Sequence, residues 1–187
     1  MAKFFDRLEP EHSAFIERQP LFFVATAAEG AHPNLSPKGY RAVSVLGPRR
    51  LAYIDMPGSG NQTATHVALH GRITLMFCSF ERKPLILRIY GKGRVVHRHS
   101  SQFARLAKQL GAKVGPHTRQ IIDVGVQRVQ TSCGYGVPLF DYRGDRDTLQ
   151  RYYDKKHREV DWEEYLDEHT RPQAPIVGCA SEQARSQ

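Results

Sequence analysis

The stretch Arg119-Gln120-Ile121-Ile122-Asp123-Val124-Gly125-Val126-Gln127-Arg128-Val129-Gln130-Thr131 alternates Ile122, Val124 and Val126 over polar or small partners. A period of two over this length is the signature of a strand with one buried face. Two other long segments precede it, 72–79 and 85–97, joined only by the charged turn Phe80-Glu81-Arg82-Lys83-Pro84. A turn that short permits antiparallel pairing and excludes a parallel crossover. Gly91 and Gly93 lie inside the second segment, where glycine marks a bulge or bend rather than a break.

Working outward, residues 100–110 carry Phe103, Leu106, Ala107 and Leu110 at helical spacing. Upstream, 21–28 is a continuous apolar run that reads as a buried strand. The turn Glu29-Gly30-Ala31-His32-Pro33 leads to a second strand through 35–38, forming a hairpin. Residues 42–46 and 51–55 are further strands, split by Gly47-Pro48-Arg49-Arg50. A helix is predicted over 61–70 with Gly71 at its C-cap, and a short one over 11–19, closed by Pro20. About six strands, short turns and two inserted helices predict a mainly β, α+β fold: a six-stranded antiparallel barrel with flanking helices at its openings. After Asp145 the composition turns to charge and aromatics. Helices over 147–157 and 160–169 are expected to pack on the barrel through Leu149, Tyr152, Trp162, Tyr165 and Leu166. The polar, patternless 171–187 is expected to be a mobile tail. The chain thus divides into a barrel domain, 1–144, a helical appendage, 145–170, and the tail.

A chain of 187 residues with 40% apolar and 25% charged residues is ordinary for one globular domain. It has no apolar run long enough to cross a membrane, and residues 1–10 lack the apolar core of a signal peptide. Cys78, Cys133 and Cys179 are odd in number and widely separated, which argues against a disulfide framework and for the cytoplasm. The formal net charge of +8 draws anions. Because the positive charge is dispersed and aromatics do not interleave with it, phosphorylated small molecules rank above nucleic acid or a membrane surface.

Four segments carry candidate chemistry. Ser36-Pro37-Lys38-Gly39 sets an ammonium beside backbone that a ligand can approach; the plain alternative is a turn with a solvated lysine. Gly58-Ser59-Gly60-Asn61-Gln62-Thr63 lies between a strand and a helix, where amide N–H groups and the helix start favour an anion. It has neither the lysine of a P-loop nor the β-α-β setting of a dinucleotide fingerprint, and a capped helix start with Ser59 or Asn61 as N-cap is the alternative. Arg72 and Arg88 sit on the two long strands, where a guanidinium faces solvent, a carboxylate or, bidentately, a phosphate. Thr131-Ser132-Cys133-Gly134-Tyr135-Gly136-Val137-Pro138 offers a Tyr135 ring to cover a planar ligand, and Cys133 as a nucleophile only if its thiolate is stabilised. His66 and His70 have metal-ligand spacing on one helix, but no third ligand joins them, so no metal site is read.

In this order the segments resemble the pyridoxamine 5'-phosphate oxidase-like proteins, the FMN-binding split barrels. The likeness spans roughly 21–138. It rests on Pro33-Asn34-Leu35-Ser36-Pro37-Lys38-Gly39, on the strand–turn–helix over 52–66, on Gly71-Arg72-Ile73-Thr74-Leu75-Met76-Phe77 and on Leu87-Arg88-Ile89-Tyr90-Gly91-Lys92-Gly93. The run 129–138 looks typical of an uncharacterised branch of that family. The resemblance implies a homodimer with FMN at the subunit interface, held by Ser36, Pro37 and Lys38 on one strand and by Gly58, Ser59, Gly60 and Asn61 in the turn. It further implies an FMN-dependent oxidoreductase, with NAD(P)H as a possible donor and Tyr135, Cys133 and His66 as candidates for the reacting face. A flavin carrier or sensor without turnover, or a barrel that has exchanged FMN for F420 or haem, are the alternatives. Many members have Ser-Arg-Lys in the turn where this chain has Ser59-Gly60-Asn61, which shifts the phosphate toward backbone N–H groups and Lys38 or Arg72. The Arg-Leu-x-Pro ending of the named enzyme is not found in 171–187, so its substrate does not carry over.

Overall fold

The computed structural model describes residues 2–171, 173, 174 and 176. Cys179 and most of the tail lie outside the described residues. All seven strand segments form: β2 (Phe22–Thr26), β3 (Asn34–Lys38), β4 (Val43–Gly47), β5 (Arg50–Asp55), β6 (Arg72–Cys78), β7 (Ile86–His97) and β8 (Gln120–Ser132). The sheet has eight strands: these seven segments, which the sequence reading rounds to about six, and β1 (Lys3–Phe5), which adds to β8 with Lys3 opposite Thr131. Three residues are too few to show a period.

Every pairing is antiparallel, and the order is β3-β2-β6-β7-β8-β5-β4. A flat sheet of that order would hold its two edges about 29 Å apart. Yet edge strands β3 and β4 are consecutive, and the chain from Lys38 to Val43 spans at most roughly 17 Å. The sheet therefore has to curl until its edges approach without hydrogen-bonding, which is a split barrel. The connecting turn closes with Ala42 N–H on Gly39 O at 3.2 Å and holds Tyr40 and Arg41 at φ 57° and 48°, left-handed for two non-glycine residues.

The barrel interior is filled by Phe22, Tyr53, Phe77, Leu51, Leu75, Leu87, Ile89 and Ile122, all fully buried. Phe22 stacks on Phe77 at 5.3 Å and meets Tyr53 edge-on at 5.5 Å. Each such side chain contributes roughly 1.5–3 kcal/mol by leaving water. The run 21–28 is not buried on both faces as its continuous apolarity suggests: in β2, Phe22, Val24 and Thr26 are buried while Phe23 and Ala25 are half-buried. Only one face of a barrel strand meets the core, so Phe23, with Leu35 and Pro37 of β3, makes an outer apolar strip.

Helix α2 (Gln62–His70) ends on Gly71, whose φ of 67° and N–H to Val67 O at 2.8 Å make the left-handed cap. Helix α3 (Ser101–Leu110) is capped by Ser100 Oγ, which accepts from Phe103 N–H at 3.2 Å. Helices α4 (Thr148–Glu159) and α5 (Trp162–Thr170) build a second small core from Tyr153, Trp162 and Leu166, with Met56 and Leu149 against it. Here Tyr153 replaces the expected Tyr152, which is exposed. Leu149 and Tyr153 are four apart and share a helix face, whereas Tyr152 turns outward.

The register of β7 on β8 shifts between Tyr90, opposite Arg128, and Gly91, opposite Val126, so the extra residue of the bulge is Gln127 on β8, and Gly91 marks the place from the facing strand. A Cβ at Gly91 would stand 2.4 Å from Gly125 O, a backbone atom held in the ladder. Gly91→Ala is expected to destabilise the chain by about 3 kcal/mol in urea unfolding, as overpacking against an atom that cannot yield does. Gly136→Ala, with nothing within 4 Å of its Cβ position, is expected to leave stability unchanged.

Helix α1 (Pro10–Arg18) begins with Glu9 N–H donating to His12 Nδ1 at 3.1 Å. Burial lowers the His12 pKa from its ordinary 6.5, against the opposing pull of Glu11 and Glu9. Burial lowers that of His117 likewise, opposed by Asp154. A depressed histidine is neutral in the fold and protonates first in the unfolded chain. Its stability is complete above 6.5 and lost as pH falls from there through the folded value. The melting temperature is expected to fall on acidification below about pH 6.5. His12→Gln, which keeps an acceptor at this capping position, is expected to flatten that slope in melts between pH 8 and 5.

Candidate functional site

After β5 the chain turns through Met56-Pro57-Gly58-Ser59-Gly60-Asn61 into α2. Asn61 is the N-cap, as one of the two residues proposed from the sequence, but its side chain makes no cap. The amide is diverted: Nδ2 donates to Thr170 O at 3.0 Å, and Oδ1 accepts from Gln120 Nε2 at 2.8 Å. The first-turn N–H groups of Gln62, Thr63 and Ala64 consequently find no acceptor among the described residues. Such orphan donors at a helix start are a ready anion site.

β3 forms the facing wall. Pairing of Phe22 with Lys38 and Val24 with Ser36 brings Ser36, Pro37 and Lys38 alongside the turn. Asn34 ties the walls together, its Nδ2 on Thr63 Oγ1 at 3.0 Å and its Oδ1 accepting from Ser36 Oγ at 3.2 Å. Between them is a cavity of about 460 Å³, within the range of small-molecule sites.

Its floor is a buried charge network that sequence reasoning missed. Asp55, 2% exposed, accepts from Lys38 Nζ at 2.7 Å, from Arg119 Nε at 2.9 Å and from Gln120 Nε2 at 2.8 Å. Burial alone would push the Asp55 carboxyl up, but the Lys38 and Arg119 charges, with the Lys38 and Gln120 hydrogen bonds, outweigh it and hold the carboxyl below its ordinary value. Arg119 also donates to Gly60 O at 3.0 Å and to His169 O at 2.5 Å. One guanidinium thus joins the end of β5, the glycine turn and the last turn of α5. Two cations against one carboxylate leave the wall with an excess positive charge. A sequence signal existed: Asp55 is the only acidic residue between Glu29 and Glu81. An isolated carboxylate at the end of an apolar strand needs a cationic partner if it is buried.

Of the predicted site residues, Ser36, Pro37, Lys38, Gly58, Ser59, Gly60 and Asn61 line this one cavity. The others stand elsewhere. Arg72 is exposed at the start of β6, opposite Lys92. Arg88 faces Gln130, roughly 30 Å along β8 from Gln120, and donates to Ser132 Oγ at 3.0 Å. Tyr135 is 82% exposed. Cys133 is exposed too, and its thiol pKa is lowered from the ordinary value, chiefly by the Tyr135 backbone N–H. Burial raises that of Cys78, which is a core residue as read. His66 is fully buried, its Nδ1 3.2 Å from Thr26 Oγ1. No described helix is long and apolar enough to cross a membrane.

The family model for pyridoxamine 5'-phosphate oxidase matches residues 8–133. A pyridoxamine 5'-phosphate oxidase family protein of Aspergillus flavus, ustO, is 40% identical over 151 residues, covering 79% of this chain. The chain spans 61% of that relative's length. Among solved structures, a Lactobacillus delbrueckii protein described as a pyridoxamine 5'-phosphate oxidase aligns with a TM-score of 0.54 at 16% identity, over 67% of this chain and 94% of that one. HupZ of Group A Streptococcus aligns with a TM-score of 0.51 at 22% identity, over 65% and 91%. At those identities the two structures speak for the fold, and the antiparallel split barrel agrees. The matched stretch runs from two residues before α1 to just past the end of β8 and takes in β3, the glycine turn with the start of α2, and the Asp55–Arg119 floor: the chain belongs to the pyridoxamine 5'-phosphate oxidase family.

Proposed function

We propose that the corner between β3 and the start of α2 holds the phosphate of FMN, and that the chain is an FMN-dependent oxidoreductase. The observation that carries this reading is a helix start whose first-turn amides have no acceptor among the described residues, lining with Lys38 one cavity that has an excess positive charge. A phosphate monoester, a dianion with several acceptor oxygens, fits that donor set. Bound there, FMN would supply two-electron redox chemistry, while the protein supplies binding and orientation. Lys38 and the Gln62–Ala64 amides would fix the phosphate, and Arg119 would hold the turn in shape behind them.

The apolar strip of Phe23, Leu35 and Pro37 suits a homodimer with the flavin at the interface. In such a dimer the exposed Cys133 and Tyr135 would serve the partner's site rather than their own. Residues 1–144 would then be the flavin domain and 145–170 its appendage, in a reducing cytoplasmic setting consistent with free Cys78 and Cys133. NADH or NADPH is the proposed electron donor. One observation favours a carrier or sensor instead: among the described residues, no histidine, tyrosine or cysteine lines the cavity.

Purified protein is expected to be yellow and to release FMN on denaturation, with the mass of the released group separating FMN from F420 or haem. Bleaching of the flavin band by NADH or NADPH supports the oxidoreductase. A flavin that neither donor reduces supports the carrier.

A further inference from the structure

The corner already has an occupant of its own. Gln173 Oε1 accepts from Asn61 N–H at 2.7 Å. Thr65 Oγ1 donates to Gln173 O at 3.0 Å and accepts from Gln173 N–H at 3.3 Å. Gln62 Nε2 donates to Ala174 O at 3.2 Å, and His32 N–H to Ile176 O at 2.7 Å. The described part of 171–187 is therefore tied down rather than free, and Gln173 and Ile176 form part of the cavity wall. A Cβ on Gly60 would stand 3.4 Å from Gln173 Oε1, an ordinary contact distance, so the carbonyl packs directly over position 60.

The chemistry of this contact is that of a stand-in. A neutral amide oxygen sits on a backbone N–H at the start of a helix, beside Lys38 and the Arg119 network, where the field favours a negative group. It satisfies one donor and leaves the excess positive charge unneutralised. A charged oxygen forms hydrogen bonds roughly twice as strong, so an anion is the better ligand for the same amide.

We propose that the segment carrying Gln173, Ala174 and Ile176 is a self-ligand of the corner. The Gln173 side chain occupies the Asn61 amide, next to the three of Gln62–Ala64 that lack an acceptor among the described residues, in the position of an anion's oxygen, and has to leave when a phosphate group spans all four. This rests on the anion-corner reading of the site. The apparent affinity for a phosphorylated ligand is then reduced by the fraction of chains in which the segment is released. Access to the site is set by the C-terminal segment, not only by the barrel.

Two substitutions in the full chain pull in opposite directions. Gln173→Ala removes the competing acceptor and is expected to tighten FMN binding about fivefold, the size of one neutral hydrogen bond. Gln173→Glu places a carboxylate on the same amide and is expected to weaken FMN binding about tenfold. Hydrogen exchange at the Asn61 amide reads the contact without any ligand, and is expected to be at least tenfold faster in Gln173→Ala, as loss of a protecting bond makes it. Unchanged Asn61 exchange overturns the proposal, and so does faster exchange without tighter FMN binding. If neither the wild type nor Gln173→Ala takes up FMN, the flavin reading falls separately, and inorganic phosphate titrated against the Asn61 amide resonance decides this one. A response stronger in Gln173→Ala supports the self-ligand, and an equal or absent response overturns it.

Discussion

Arg119→Met is expected to destabilise the protein by about 3–5 kcal/mol, the usual cost of removing one partner of a buried ion pair. Arg119 and Asp55 are 3% and 2% exposed, so neither can turn to water when the other is lost. The variant leaves the Asp55 carboxylate with Lys38 and Gln120 alone, and strips donors from Gly60 O and His169 O. Arg119→Lys keeps the charge but not the fork that reaches three segments at once, and is expected to fall between wild type and Arg119→Met. Asp55→Asn combined with Arg119→Met should recover part of the loss, because no unpaired carboxylate remains; urea unfolding of the four-member cycle measures the coupling. The pH dependence has a fixed sign. Asp55 has a depressed pKa in the fold, so its contribution is present above the ordinary carboxyl value of 3.8 and lost as pH falls through the folded one. The gap between wild type and Arg119→Met should therefore narrow in acid.

Lys38→Met is expected to weaken FMN binding about ten- to hundredfold, the worth of one hydrogen bond to a charged group. Lys38 Nζ is spent on Asp55 at 2.7 Å through one of its protons, and its side chain is 22% exposed toward the cavity. The ammonium thus has donors left for a phosphate oxygen. Adding Ser59→Ala, which removes a hydroxyl at the cavity rim, should weaken binding further. Riboflavin, which has no phosphate, should be nearly indifferent to both changes. Fluorescence titration of both ligands against wild type and variant checks the prediction, and parallel loss for the two would place Lys38 away from the phosphate.

What the sequence disclosed followed the range of the interaction that decides each feature. Strands β2 to β8, the hairpin and the Gly71 cap rest on local period or on one residue's steric freedom, and are readable; Gly91 signals an irregularity in the ladder, but the extra residue, Gln127, is on the partner strand. Strand β1 was not, because three residues form a strand only when β8 offers the ladder. The two walls of the cavity were legible as separate segments, since a lysine before glycine and a glycine-rich strand–helix turn each have a local meaning. Their floor was not: Arg119 meets Asp55 across 64 residues, and nothing local distinguishes it from the other arginines. Arg72 and Arg88 are candidates by guanidinium chemistry and by their place on the two long strands, and strand register sets both outside this cavity. Composition alone predicts a mobile tail over 171–187, most of which lies outside the described residues; Gln173 within it finds its partners in the turn and α2, more than a hundred residues earlier.

The central claim is that a phosphate, rather than a flat ring alone, is what the corner recognises. Titrating the apo-protein with FMN and with riboflavin in the same buffer measures this directly. The corner predicts FMN tighter by about a hundredfold, since two charge-assisted hydrogen bonds add roughly 3 kcal/mol. Equal affinities for the two, or no uptake of either by well-folded protein, would contradict it.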